Sequence, residues 1–145
     1  MRHSSEQFSE GTRSSERGNA IVEFVGVMAV LVVPAVIALL AVSALLMGQS
    51  ALAAAAREST RAFVRADTTV QAHSRAQTFA QQALDSRGVD SAAIVSVSCS
   101  ARPCLTPGAT VTITVEADIE VPYLTTMRLS RQATLPVDEY RALRE

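Results

Sequence analysis

Two cysteines are the residues whose type and spacing most directly suggest chemistry. Cys99 and Cys104 enclose four residues, Ser-Ala-Arg-Pro. A disulfide across so short a loop closes a turn and contributes roughly 2 kcal/mol through loop-closure entropy. A metal site would need more ligands than two cysteines, and a redox pair normally has two intervening residues in a thioredoxin-like setting. The spacing favours a structural disulfide, and we expect neither a metal nor a cofactor.

Titratable residues that could take part in catalysis are scattered along the sequence. His3 and His73 have no acid or cysteine at ligand spacing, so neither is given a chemical role. Glu116, Asp118 and Glu120 alternate, which places them on one wet face of a strand, where acids usually only solvate a surface. No nucleophile stands beside a base, and there is no glycine-rich phosphate loop. We expect no enzymatic activity and name no catalytic residue.

A long apolar run is the dominant element of the chain. From Phe24 to Gly48 the sequence holds 25 residues without a charge. At about 1.5 Å of helical rise per residue it would reach about 37 Å, more than the ~30 Å of a hydrocarbon core. A core helix of a soluble protein would show a polar face, whereas the only side-chain hydrogen-bonding group here is Ser43. The run predicts a single transmembrane helix.

Three residues in and beside this run are candidates for helix association. Glu23 is costly at the edge of an apolar segment unless it is paired, although the helix macrodipole favours a negative charge in a first turn. Ala44 and Gly48 form one small-x3-small pair, which lets a second helix approach closely. Small residues are also common in membrane helices in general, so both interpretations of this pair remain open.

Composition bounds the folded part and its partners. Residues 1–18 mix serines, acids and arginines around a lone Phe8 and cannot bury enough apolar surface to fold. Residues 49–145 are enough for one modest core. The formal net charge is −1, and a phosphate-binding surface normally needs a basic excess. We expect a polar leader, one span and one small domain, with no nucleic-acid partner.

Two signals for the orientation in a membrane oppose each other. Two nearby arginines precede the run and three follow it, namely Arg57, Arg61 and Arg65, and this count alone would keep the C-terminal side in the cytoplasm. Glu23 at the N-terminal edge, the cysteine pair and the strand-rich C-terminal part favour an exported C-terminus, which is the orientation we predict. The three arginines form a stripe that could meet lipid phosphates or an acidic partner, although a solvated helix face is the simpler interpretation.

Helical spacing continues beyond the run and then gives way to strands. Residues 49–88 read as helix, interrupted near residue 68 by a capping box of Thr68 and Gln71 and stopped at Gly88. Alternation at residues 110–121 predicts the clearest strand, with further strands on either side of it. In the last of these, Arg131 breaks the alternation, which indicates an end, a bulge or an edge. The sheet cannot bury its apolar face alone, so we expect it to pack on the preceding helix.

The predicted fold is therefore an α+β membrane protein. One N-terminal transmembrane helix extends into an exported helix, which packs on a small antiparallel sheet of about three strands. The expected segments are a polar cytoplasmic leader at 1–18, the transmembrane helix at 19–48, an exported helical segment at 49–88 and a small β domain with its disulfide turn at 89–145.

The border of the apolar run resembles a known processing signal. The segment Gly18-Asn19-Ala20-Ile21-Val22-Glu23-Phe24 places a glycine, four residues, a glutamate and an aromatic at the start of a hydrophobic helix. It is similar to the class III leader of type IV pilins, and the Glu-Phe pair resembles the TadE-like pseudopilins of the tight-adherence (Tad/Flp) pilus machinery. The C-terminal phrase at residues 133–138, Ala-Thr-Leu-Pro-Val-Asp, also looks like the end of TadE-like proteins.

This resemblance implies a function and a set of partners. A prepilin peptidase would cut on the cytoplasmic side between Gly18 and Asn19, so that Glu23 becomes the fifth residue of the mature chain. The freed α-amino group, four residues away, would supply Glu23 with a partner of opposite sign. The protein would be a minor pseudopilin-like subunit in assembly of Flp-type pili. It would lie in the bacterial cytoplasmic membrane and contact other pilin or pseudopilin subunits through its N-terminal helix.

Two alternatives do without a pilus. The apolar run could be a secretory signal cut after Ala51-Leu52-Ala53, which would release a soluble binding module, although the run is far longer than the ~7 to 15 residues of a signal core. The chain could also be a membrane anchor that is never cut.

Overall fold

The computed structural model describes residues 13–140, with side chains from residue 20 onward. Its elements are α1 (Arg13–Val64), α2 (Thr69–Asp85), β1 (Ile94–Cys99), β2 (Thr110–Glu120) and β3 (Thr126–Pro136). The described residues form two compact units, one up to Leu39 and the other from Leu40 onward. A long apolar helix, a second helix and a three-stranded antiparallel sheet confirm the α+β class. Residues 1–12 of the predicted leader lie outside the described residues.

Helix α1 is continuous from Arg13 to Val64 and runs through Pro34. The apolar run and the alanine-rich segment that follows it are therefore parts of one helix, as the spacing predicted. Proline lacks the backbone donor that a helix interior uses, yet the helix is assigned on both sides of Pro34. The residues on either side of Pro34 favour helix strongly enough to offset the one missing backbone hydrogen bond.

The predicted break between the helices is confirmed, together with the capping residue. Thr68 is the N-cap of α2, and its hydroxyl oxygen accepts a hydrogen bond from the Gln71 backbone amide at 3.3 Å. The Gln71 side chain returns to the chain one residue earlier than a standard capping box would have it, because its Oε1 accepts from the Asp67 amide at 3.2 Å. The first bond satisfies an amide of the first turn that the helix leaves without a partner, and the second holds the residue before the N-cap.

Helix α2 ends through a glycine in the left-handed conformation. Gly88 has φ +71°, which a residue without a Cβ adopts at little cost. The Gly88 amide donates to the Asp85 carbonyl and the Val89 amide to the Leu84 carbonyl, each at 3.1 Å. These two bonds form a Schellman motif, so the stop predicted at Gly88 is confirmed.

The sheet has the order β1-β2-β3, with both pairs antiparallel. Strand β2 lies in the centre, and its alternation gives one buried face and one wetter face. The buried positions of this strand and of the residue just after it are Val111, Ile113, Val115, Ala117, Ile119 and Val121. This is the apolar face that the sequence predicted, and it packs in one core with the helices.

Strand β3 lies at an edge of the sheet, which decides between the three outcomes left open at Arg131. Pairing with β2 continues without a bulge through this position, where Arg131 faces Val115. The Arg131 guanidinium Nη2 donates to Gln49 Oε1 of α1 at 2.6 Å. A charged residue on the helix-facing side of an edge strand is thus accommodated by a polar residue of the helix, and such charges oppose pairing with a further strand.

The core joins both helices to the sheet. Alanines of α1 and α2 let the backbones approach, and Phe63 is the largest fully buried side chain. Helix α2 also holds the segment before β1 through two glutamines. Gln77 Nε2 donates to the Ala93 carbonyl at 2.7 Å, and Gln81 Oε1 accepts from the Ala93 amide at 2.9 Å. These contacts supply partners to a backbone position just outside the sheet.

Candidate membrane and association surfaces

The N-terminal half of α1 presents a continuous exposed apolar surface. Every residue from Ala20 to Val36 is exposed, and Phe24 and Leu31 are 64% and 63% exposed. Among the described residues α1 is the one helix long and apolar enough to cross a membrane, and 6% of its most apolar window is buried. The core helix of a soluble protein would be mostly buried, so this surface does not serve a folded core. A signal sequence near an N-terminus would have the same profile.

The predicted processing residues all lie within α1. Gly18 and Asn19 belong to its backbone, and their side chains are outside the described set. Glu23 and Phe24 are exposed. Within the part described with side chains, no basic residue forms an ion pair with Glu23. A partner for this carboxylate therefore has to come from the undescribed residues, from a new N-terminus or from another molecule.

Gly48 has a partner within its own chain, which changes the interpretation of the small-x3-small pair. Gly48 is buried, and a Cβ built on it would lie 2.8 Å from Cγ1 of Ile119. The close approach that a second helix could have made at Gly48 is made by β2. Ala44 is half-buried and lines a pocket of about 270 Å³ together with Gly48, Ile119 and Glu120.

This contact extends along one side of α1. Buried and half-buried residues at helical spacing mark this side of the helix and include Ala41, Ala44, Leu45, Gly48, Ala51, Leu52 and Ala55. Residues 42, 43, 46 and 47, on other sides of the helix, remain exposed. The folded unit therefore covers one face of α1 as far as Ala41, about two turns inside the predicted span. This coverage could not be predicted from the sequence, because an apolar run looks the same whether lipid or protein covers it.

Three arginines line a cleft between α1 and α2. It has a volume of about 500 Å³ and is lined by Glu58, Arg61, Ala62, Arg65, Arg75 and Phe79. Among the described residues, no carboxylate forms an ion pair with any of the three arginines, whereas Glu58 lies 3.7 Å from Arg87. Two members of the predicted stripe thus meet Arg75, while Arg57 does not line the cleft. Sequence reasoning missed Arg75, because only the α1–α2 turn brings it close. The cleft has the charge to accept an anionic group.

The acidic row on the outer face of β2 is partly neutralised. Arg128 of β3 reaches Asp118 with two hydrogen bonds, from Nε at 2.9 Å and from Nη2 at 3.1 Å. The hydrogen bond from Arg128 is the main reason that the pKa of Asp118 lies below its ordinary value, and the positive charge of Arg128 adds to it. This cross-strand pair is a bidentate surface contact, an arrangement that fixes side-chain geometry.

The predicted disulfide is confirmed. Cys99 at the end of β1 is bonded to Cys104, with 5.3 Å between the two Cα atoms. Both cysteines are half-buried against the core. In residues 20–140 no group of three or more histidine, cysteine or acidic side chains is placed to hold a metal ion. The bond closes the turn that leads from β1 towards β2.

Comparison of the chain with family models, with curated proteins and with solved structures finds no match.

Proposed function

We propose that this protein is a single-pass membrane protein and a minor pseudopilin-like subunit in assembly of Flp-type pili. The observation that carries the proposal is that α1 combines three features in one helix. One continuous helix contains the Gly18-to-Phe24 segment, exposes an apolar surface long enough for a bilayer and contributes Ala51, Leu52 and Ala55 to the folded core. A cleaved signal peptide is removed and cannot supply core residues to the domain it exports, whereas the helix of an anchored subunit can.

The proposed orientation places the N-terminus in the cytoplasm and the C-terminal domain outside the bacterial cytoplasmic membrane. The paired state of Cys99 and Cys104 supports this, because disulfides persist in oxidising compartments and are rare in the cytosol. The arginines after the apolar run weigh against this orientation in a simple count. Two of them, Arg61 and Arg65, line the α1–α2 cleft of the folded unit.

Leader removal would give Glu23 a defined partner. Cleavage between Gly18 and Asn19 by a prepilin peptidase creates a positive α-amino group four residues before the carboxylate. On a helix this separation brings two groups to the same face. A charge pair at the edge of the span lowers the cost of placing each group near lipid. Glu23 of one subunit could equally pair with the amino group of a neighbouring subunit.

Subunit contacts in the membrane would use the exposed part of α1. Gly48 is occupied by Ile119, so the close approach of a second helix needs another position. A Cβ at Gly26 would meet nothing within 4 Å, and the residues around it are exposed. Helices in lipid associate through van der Waals packing at such small residues. We assign contacts with other pilin or pseudopilin subunits to this stretch, and the mechanism is association rather than catalysis.

The secreted-module alternative is disfavoured by the core. Ala51 and Leu52 are fully buried in the cluster that also contains β2 residues. Cleavage after Ala53 would remove both side chains and would leave Ile119 without Gly48. Loss of a buried leucine alone typically costs about 2–5 kcal/mol. An uncut membrane anchor remains the second candidate, since it shares every feature of α1 except processing.

The N-terminus of the membrane-bound protein tests the proposal. The full chain would be expressed in a host with a matching prepilin peptidase, and the N-terminal sequence and intact mass would be compared for wild type and Gly18→Ala. We expect a chain that begins at Asn19 and a variant that keeps its leader. Gly11→Ala, the other leader glycine, is the matched control and should be processed normally. A start near Ala54 in the soluble fraction would establish the secreted module, and an uncut wild-type chain would establish the anchor.

A further inference from the structure

The turn between β2 and β3 is apolar where surface turns are usually polar. Its residues are Val121, Pro122, Tyr123, Leu124 and Thr125. Tyr123 is 79% exposed and Leu124 is 66% exposed. The turn is closed by the Val121 amide, which donates to the Thr125 carbonyl at 3.0 Å. Gly, Asn, Asp, Ser and Pro dominate such turns, so two large exposed apolar side chains at the tip need a reason.

The backbone of this turn is strained at Tyr123. Tyr123 has φ +63°, a conformation that residues with a Cβ rarely adopt. A glycine at this position would avoid the strain. Strained conformations of this kind persist where the surrounding structure or a function holds them. A tyrosine that is both strained and exposed contributes nothing to the core, which points to a contact outside the chain.

The turn follows the end of β2 that lies on the apolar run. Ile119 packs on Gly48, and Glu120 lines one pocket with Ala44 and Met47. The turn starts directly after Glu120. On the helix at this level, Leu46 and Met47 are 62% and 68% exposed. The turn therefore starts beside an exposed apolar part of α1 in the same folded unit.

Helix length places the bilayer boundary at the same level. Twenty residues of α1 rise about 30 Å, the thickness of a hydrocarbon core. Counted from Phe24, this distance ends near Ala44. The lipid boundary on the domain side therefore lies where β2 ends and the turn begins.

We propose that the β2–β3 turn inserts Tyr123 and Leu124 into the interface of the bilayer that α1 crosses. The inference rests on the membrane-spanning part of the proposed function and is independent of processing. Tyrosine suits this position because its ring is apolar and its hydroxyl can remain at the headgroups. Three acids, Asp90, Asp118 and Glu120, line the adjacent pocket with one basic residue, Arg87. With no basic excess there, the contact depends on apolar burial and takes place on zwitterionic lipid. The domain then has two attachments to the membrane.

The arginine cleft is not the lipid contact. Arg61 lies 13 residues beyond Gly48, which is about 20 Å along a helix. The headgroup region adds only about 5–8 Å on each side of the hydrocarbon core. The cleft is therefore out of reach of the headgroups when α1 crosses the bilayer upright, whereas the turn is at their level.

Tryptophan fluorescence can test the contact, because the chain contains no tryptophan. Tyr123→Trp and Tyr140→Trp would be placed in the full chain, reconstituted at one copy per phosphatidylcholine nanodisc. Tyr140 is 94% exposed and is the only other tyrosine, which makes it the matched control. We expect emission from position 123 to be blue-shifted, and acyl-brominated phosphatidylcholine to quench it several-fold more strongly than emission from position 140. Leu124→Trp repeats the measurement without changing the strained residue.

Two outcomes would overturn the inference. One is equal quenching at positions 123, 124 and 140. The other is protection of position 123 that appears only with several copies per disc, which would assign the turn to a contact between copies. Leu31→Trp, in the exposed part of α1, separates this failure from a failure of the proposed function. Strong quenching at position 31 with none at 123 rejects the turn alone, and no quenching at position 31 rejects the membrane span itself.

Discussion

The Ile119 side chain lies directly on the backbone of Gly48. A Cβ at position 48 would be 2.8, 2.9 and 3.0 Å from Cγ1, Cγ2 and Cδ1 of Ile119. Two of these atoms branch from the isoleucine Cβ, so they cannot move away without a change of χ1 or of the backbone. The contact joins the last turns of the apolar run to the centre of the sheet, and it leaves room for a hydrogen atom only.

Gly48→Ala should destabilise the folded domain. Alanine raises helix propensity by about 1 kcal/mol, whereas overpacking a tight contact costs about 1–3 kcal/mol. We expect a net loss of about 1 kcal/mol, measured by thermal unfolding of the full chain in detergent micelles. Gly26→Ala, where a Cβ meets open space, should cause no loss. Combining Gly48→Ala with Ile119→Ala should cost less than the sum of the single changes, and strict additivity would show that the two residues do not interact.

Removal of the disulfide should lower stability modestly. Replacing Cys99 and Cys104 together by serine should cost about 2 kcal/mol, because the unfolded chain regains the freedom of a short loop. Denaturant unfolding of the oxidised wild type and the double variant gives the difference. A reducing agent should shift the wild type towards the variant and leave the variant unchanged. If the two proteins unfold at the same denaturant concentration, the disulfide has no stabilising role.

The Asp118–Arg128 pair should give a small contribution to acid sensitivity. The pKa of Asp118 is lowered in the folded state, so its stabilisation is present above the ordinary aspartate pKa of about 3.9 and is lost as pH falls through the folded-state value. Asp118→Asn should therefore flatten stability against pH below about pH 4, and only at low salt because the pair is exposed. Glu120→Gln on the same face should keep the wild-type slope. An Asp118→Asn curve parallel to wild type would contradict the prediction.

Glu23→Gln should separate processing from assembly. The variant keeps the glycine and the apolar helix, so its leader should still be removed, but it loses the charge that pairs with an α-amino group. Crosslinking in membranes that contain the other pilus subunits should show fewer helix-to-helix products than wild type. Glu16→Gln is the control, because that residue leaves with the leader. Normal crosslinking of the processed Glu23→Gln chain would remove Glu23 from the association residues.

Local sequence determined the elements of this protein. Helix periodicity, the Thr68 cap and the Gly88 stop depend on groups within a few residues of each other, so they can be identified without the fold. Strict alternation identified β2 and its buried face for the same reason. The disulfide needed only five residues of separation. The apolar run likewise revealed a helix that could cross a membrane, since length and the absence of charge are properties of the sequence itself.

The contacts between elements could not be predicted from local sequence, because they join residues far apart in the chain. Arg131 and Gln49 are 82 residues apart and bond through side chains. The partner of Gly48 depends equally on how β2 lies on α1, and a glycine fits a strand or a second helix equally well. Near Ala41, one face of the apolar run passes from exposed surface to the folded unit. The sequence does not predict this position, since both environments favour the same side chains.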